Sequence, residues 1–297
     1  MRVTERIELR GGGGEPVDFA RTLLSHGVAD LPPNIIARDG SALETVLEAG
    51  GSAWVVRLTP DGPAAAQIEA DSGAPVEALA RQIRYMLRLD DDLSAFYARA
   101  ADDPDLAWAA DGAGRMVRSP TVFEDLVKTI CTTNCTWSAT QRMVGALVSE
   151  LGTPATPDRR TFPTAATMAE AGDDFYTGVA KAGYRGAYLK AIAADVAEGR
   201  LDLETLTDPT RSDEEVAERL LELPGVGPYA CAHVMMLLGR YGKLILDSWT
   251  RPTYRRLAGR PRVTDKGIEK AFRRYREYAG LAFWLMLTRD WVPEPAA

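Results

Sequence analysis

Cysteine and histidine are scarce in this chain of 297 residues, with three of the former (Cys131, Cys135, Cys231) and two of the latter (His26, His233). An odd and sparse set of thiols implies no disulfide framework, and a four-cysteine zinc or iron–sulfur site cannot be assembled from one chain. Histidine-rich metal sites are not expected, and a Ser/His/Asp triad would have to rest on one of the two imidazoles. Long apolar runs are missing too. No uncharged stretch approaches the roughly 18 to 20 residues that cross a bilayer, and the N-terminal MRVTERIELRGGGG lacks the apolar core of a signal peptide. The expectation is a cytoplasmic protein with no membrane partner. No Lys-Ser/Thr pair follows Gly11–Gly14, so that tract reads as a loose turn rather than a phosphate loop.

What is present is ordinary globular material, 46% apolar and 26% charged, enough for two or three packed layers. The net charge of −7 is unevenly spread. Residues 1–110 hold 10 Lys/Arg against 18 Asp/Glu, while the rest of the chain is near neutral. Ten basic residues (Arg251, Arg255, Arg256, Arg260, Arg262, Lys266, Lys270, Arg273, Arg274, Arg276) face two acidic ones between Arg251 and Arg276. Such a run is either a solvated helix face or a surface for an anionic partner, because phosphate contacts depend on local charge.

The fold class is mixed α+β. In the first 110 residues, short β-type runs at 2–14, 52–60 and 65–73, with their turn signals, alternate with helices near 16–26 and 75–88, which reads as a small antiparallel sheet domain. From Ser119 onward helical patterns dominate, at 120–131, 137–151, 164–171, 173–182, 184–198, 212–223, 228–240, 250–257, 265–278 and 280–289. Residues 111–297 therefore read as a helical bundle with short connections.

The most informative stretch is 212–240. An amphipathic helix (Val216, Leu220, Leu221, Leu223) runs into Leu223-Pro224-Gly225-Val226-Gly227, and a second helix opens at Pro228, where a missing N–H costs nothing. Read as a functional helix-hairpin-helix, Gly225, Val226 and Gly227 offer amides and a positive dipole end to a DNA phosphate. Read as packing, it is an αα-hairpin with a glycine C-cap. Twenty residues past Gly227 stands Asp247, after an apolar run and before a helix. On its own it is an N-cap.

Together, hairpin and aspartate resemble the helix-hairpin-helix DNA glycosylase superfamily, in particular its 3-methyladenine and 8-oxoguanine branch. The resemblance runs from Ser119 to the C-terminus and is weaker through the sheet. It implies that Asp247 is the catalytic carboxylate, and that Asn134, after Cys131-Thr132-Thr133, probes the base left in the opposite strand. Tyr184 and Arg185, in a Gly-Tyr-Arg segment, would touch DNA with the tyrosine wedged into the stack. Tyr278-Ala279-Gly280 would open the last helix, which lines the base pocket. In isolation Tyr184 and Trp284 read as packing residues.

The chemistry such an enzyme needs is a flipped nucleotide, a pocket for its base and a carboxylate beneath the sugar to stabilise an oxocarbenium ion. Bifunctional relatives carry a lysine two residues after the second hairpin glycine; here that residue is Tyr229, so the expectation is hydrolysis without strand nicking. Aromatic side chains at Trp137, Tyr229, Trp249, Phe283 and Trp284, with Leu287, would form a pocket suited to cationic alkylated purines. Arg251 and Arg255 would hold backbone phosphates. The resemblance also implies a monovalent K+ or Na+ ion on the carbonyls of Leu221, Leu223 and Val226, no iron–sulfur cluster since no cysteine follows Cys231, and no cofactor for the chemistry. Cys131 and Cys135 read as buried thiols. The expected partner is double-stranded DNA with damaged bases, met by a monomer. Three alternatives stay open: an oxidised- or deaminated-purine glycosylase, a non-catalytic hairpin protein that only grips DNA, and a hydrolase of free nucleosides.

Overall fold

A computed structural model describes residues 1–292. Strands β1 (Arg2–Glu8), β2 (Ile35–Ile36), β3 (Leu43–Ala49), β4 (Ser52–Pro60) and β5 (Ala65–Asp71) form one antiparallel sheet in the order β1-β5-β4-β3-β2. Helices α1 (Phe19–Leu23) and α2 (Val76–Met86) accompany it. Leu79, Ile83 and Met86 of α2 share an apolar core with Leu47, Leu58 and Ile68 of the sheet. Strand β3 was not anticipated, because Leu, Glu and Ala favour helices. It is held by the Gly50-Gly51 turn, whose φ values of +61° and +76° suit a two-residue hairpin and pair Ala49 with Ser52.

The remainder is helical: α3 (Ser94–Ala101), α4 (Val122–Thr132), α5 (Trp137–Leu151), α6 (Ala165–Glu170), α7 (Arg185–Ala197), α8 (Asp213–Leu221), α9 (Pro228–Leu237), α10 (Thr250–Leu257), α11 (Asp265–Phe272) and α12 (Ala279–Thr288). Side chains start five of these ten helices; Thr121, Thr136, Thr164, Ser212 and Thr264 each accept a first-turn amide, and Ser212 with Glu215 forms a capping box. Two expected helices are interrupted. Residues 173–182 contain one wide turn, Phe175–Val179, closed by the Ala180 amide on the Phe175 carbonyl at 2.9 Å. The 265–278 helix ends at Phe272, and the backbone reverses at Arg276 (φ +52°).

Two cores hold the helices. One joins α4, α5, α7, α8 and α9 through residues such as Leu126, Met143, Ile192, Leu220 and Val234. The other joins α3 with α10, α11 and α12 through Phe96, Tyr254, Phe272 and Phe283. Helix α9 serves both, since every residue from Ala230 to Leu237 is buried, as expected for a helix apolar on all sides. The cores interlock along the sequence: Leu89 and Val117 pack with the sheet, Leu93 with the second helical core, and Val28 and Leu31 with the first.

The tract Gly11–Gly14 is not loose. It wraps a buried ion pair, Arg115 to Glu15 at 2.5 Å, with side chains 0% and 6% exposed. A Cβ at Gly11 would overlap the Arg115 guanidinium, and one at Gly12 would stand 2.5 Å from the Asp90 carbonyl oxygen. Glu15 also accepts the Leu93 amide at 2.7 Å, so this wrap ties the sheet to the start of α3.

Candidate active site

The segment from Gly242 to Leu246 leaves the end of α9 and delivers Asp247 to the start of α10. Gly280 permits this path: its amide donates to the Tyr241 carbonyl at 2.7 Å, and a Cβ there would overlap the Lys243 carbonyl oxygen. Half-buried Asp247 accepts the amides of Trp249 (2.8 Å) and Thr250 (2.7 Å) on Oδ1, while its own amide donates to Thr250 Oγ1 at 2.8 Å. The capping role anticipated for an isolated aspartate is thus real, and one oxygen performs it. Oδ2 has no protein partner among the described residues, which leaves a fixed carboxylate with one oxygen for chemistry.

The hairpin lies beside it. Gly225 adopts φ +83°, and a Cβ there would press to 2.7 Å from the Tyr188 ring, so only glycine fits. Gly227 is extended, and the space where its Cβ would be is open. The first helical amide bond of α9 runs from Cys231 to the Gly227 carbonyl at 2.9 Å, so the Tyr229 and Ala230 amides before it have no helical acceptor. Val226 departs from expectation: its side chain is buried and its amide closes the turn on the Leu223 carbonyl at 3.1 Å, so it shapes the hairpin rather than offering a donor.

Tyr229, the second residue of α9, is half-buried. Burial raises its phenol pKa, and the nearby Asp247 charge raises it further. The Thr132 hydroxyl donates to the Thr129 carbonyl (2.6 Å), so at 3.2 Å it is Tyr229 that donates to Thr132 Oγ1. On the other side of Asp247, Trp249 is 39% exposed and lies 5.8 Å from Trp284 and 5.7 Å from Trp291 between ring centroids. Trp284 is buried, with its indole N–H donated to the Ser25 carbonyl at 2.7 Å. Trp137 is 44% exposed, and a Cβ at Gly27 would stand 3.2 Å from its ring. The structure thus brings Asp247, Tyr229, Trp249 and Trp284 together. It adds Trp291 and the Ser25–Gly27 segment, which sequence reasoning missed.

Two expected pocket residues lie elsewhere. Phe283 is fully buried between Phe272 (5.2 Å) and Tyr254 (5.9 Å), a core residue rather than a wall of the site, because α12 is apolar on all sides. Leu287, one turn on, belongs to the same core.

Asn134 and Tyr184 meet at the surface: Asn134 Nδ2 donates to the Tyr184 hydroxyl at 3.4 Å, and Tyr184 is 54% exposed. Arg185 points inward. It is buried, stacks on Tyr184 (4.7 Å to the ring centroid) and donates to the Thr133 carbonyl, so it pins the Asn134 loop instead of reaching outward. Cys131 is buried, whereas Cys135, expected to be so, is exposed beside Asn134.

In the basic run, Arg251 forms a two-pronged pair with Asp265 at 2.8 and 2.9 Å, and Arg274 pairs with Asp103 at 2.7 Å. Exposed Arg255, Arg256 and Arg260 line an open cleft after α10. Arg273 and Arg276 line a cavity of about 540 Å³ together with Tyr229, Lys243 and Leu246. Among the described residues no group of His, Cys, Asp or Glu side chains could hold a metal ion.

The architecture as a whole, a five-stranded sheet with two helical cores and a hairpin leading to an aspartate, has counterparts among solved structures of DNA glycosylases. It is shared over nearly the whole chain with the 3-methyladenine DNA glycosylase of Archaeoglobus fulgidus, at a TM-score of 0.73 and 20% identity, covering 96% of this chain and 97% of that one. The 8-oxoguanine glycosylase/lyase of Clostridium acetobutylicum in its apo-form shares it at a TM-score of 0.71 and 20% identity, covering 97% and 98%. The same protein in complex with double-stranded DNA containing cytosine opposite 8-oxoguanine gives 0.71 and 20%, covering 96% and 98%. No protein-family model and no curated protein sequence matches the chain.

Proposed function

We propose that the chain is a monofunctional DNA glycosylase that flips damaged purines, alkylated ones foremost, out of double-stranded DNA and hydrolyses their glycosidic bond. The observation that carries this reading is the Asp247 carboxylate, fixed by two amides on one oxygen and flanked by Tyr229 and Trp249 beside an open hairpin turn. As the bond from C1′ to the base nitrogen breaks, the base departs with the electron pair and a neutral alkylated purine results. The carboxylate stabilises the cationic sugar, and water adds to C1′ while passing a proton to Oδ2. Aromatic faces attract a cationic base by about 0.5 to 2 kcal/mol. Tyr229 occupies the position of the lysine nucleophile, and a phenol forms no Schiff base.

The DNA complex of the Clostridium acetobutylicum protein supports DNA as partner. Free amides at the start of α9 suit a phosphate, and a K+ or Na+ ion on the carbonyls of Leu221, Leu223 and Val226 would draw that phosphate closer; the Leu223 oxygen keeps a lone pair beside its bond from Val226. Replacing Asp247 with Asn tests the reading. Asparagine keeps the cap, so folding and DNA binding persist while excision of methylated bases is lost. Undiminished excision by D247N would refute it.

A further inference from the structure

His233 lies one helical turn beyond Tyr229 on α9, with ring centroids 6.0 Å apart. Its ring meets that of His26 edge-on, at 5.6 Å and 85°. The two residues lie far apart in the sequence, His26 just after α1 and His233 within α9. Both are buried, and burial lowers their pKa values, to about 4 for His26 and about 3 for His233, so both rings are neutral near pH 7.

Their hydrogen bonding is incomplete. His26 Nε2 lies 2.7 Å from the Val117 carbonyl, which can only accept, so Nε2 carries the proton and Nδ1 presents a bare lone pair. That Nδ1 atom has no partner among the described residues, and neither does either nitrogen of His233. Three unpaired polar atoms in one buried spot are rare in native interiors. The spot also adjoins the candidate active site. Ser25, before His26, accepts the Trp284 indole N–H, and Gly27, after it, lies against Trp137.

We propose that His233 and His26 read the hydrogen-bonding edge of the base seated against Tyr229. His26 Nδ1 accepts from an exocyclic amino group, and neutral His233 supplies one donor and one acceptor. This selects adenine-derived lesions, whose amino group lies beside a ring-nitrogen acceptor. A guanine-derived lesion would set its carbonyl oxygen against the bare lone pair of His26, acceptor against acceptor. The inference rests on the reading of Asp247 as the excision centre.

The test is release of 3-methyladenine and 7-methylguanine from methylated DNA, measured by chromatography under single turnover. Wild-type protein favours 3-methyladenine. His233→Phe removes both nitrogens and lowers the ratio of 3-methyladenine to 7-methylguanine release by about tenfold or more, and His233→Gln, with a donor and an acceptor, restores much of it. An unchanged ratio in a folded H233F protein overturns the proposal. Should H233F fail to fold, 15N imidazole resonances of the wild-type protein decide: those of both histidines shift on addition of free 3-methyladenine, and unmoved resonances overturn the proposal. Wild-type protein that releases neither base refutes the glycosylase reading itself, which is a separate outcome from excision with no base preference.

Discussion

Gly280 and Lys243 touch so closely that the first must be glycine: a Cβ on residue 280 would overlap the Lys243 carbonyl oxygen and stand 2.8 Å from that of Tyr241. The contact sets the path of the segment that ends at Asp247. Gly280→Ala should displace that segment, and a shift of about 1 Å at a reacting group costs on the order of 10²-fold in rate. We expect single-turnover excision to fall by that order while the far-UV spectrum is retained. Full activity in G280A would mean that the segment is positioned by other contacts.

Tyr229 should determine whether the sugar is attacked by water or by the protein. Wild-type protein is expected to give no borohydride-trapped complex with damaged DNA. In Tyr229→Lys, the burial that raises the phenol pKa would lower that of an amine, leaving part of it as neutral nucleophile, and a trapped complex should appear. Trapping by the wild-type protein would instead implicate Lys243, which lines the same cavity, and Lys243→Ala would then abolish it.

Arg251 is held by Asp265, whereas Arg255 and Arg256 are exposed. Asp265→Asn should free Arg251 for phosphate, strengthening DNA binding at low salt and steepening the slope of log affinity against log salt by about 0.9. Arg255→Ala should flatten the slope by about the same amount. Binding isotherms at several salt concentrations read both changes.

Stability should decline in acid. His26 and His233 are held below their ordinary pKa of about 6.5, at about 4 and about 3, so the unfolded chain takes up their protons first. Their contribution is complete above pH 6.5 or so and is lost as pH falls toward 4. Asp125 works in the opposite sense: burial raises its carboxyl to about 7, so its contribution is present at low pH and lost as pH rises toward neutrality. Glu204, raised by burial to a smaller extent, acts with Asp125, and two large histidine shifts against one large carboxyl shift predict a net loss between about pH 6.5 and 4. Urea titrations across this range should show it, and a histidine double replacement should remove or reverse the trend.

The parts of the fold with local causes were legible in the sequence. Trp137–Leu151 and Thr250–Leu257 have the boundaries expected from their patterns, and the hairpin follows from two glycines and a proline. Strand β3 was hidden because its side chains favour helix, although the Gly50-Gly51 pair announced its turn. The residues of the candidate site were legible where a motif marks them, at Asp247, Tyr229, Asn134 and Tyr184, although the contact between the last two was not. The site was illegible where segments far apart in sequence converge. Nothing near His26 signals that it faces His233, and nothing near Arg185 signals that it turns inward onto Thr133.

The glycine tract near the N-terminus also bears on how the chain can be divided. Glu15 neutralises Arg115 inside the protein, and the glycines leave no room for anything else between them. A fragment beginning after residue 110 would lose Glu15 together with the Arg88 and Asp91 carbonyls that also receive Arg115, and would lose Phe96 and the rest of α3 from the second helical core. The helical half is therefore not a free-standing unit. Shortened versions should misfold or precipitate through the apolar surface that α3 covers.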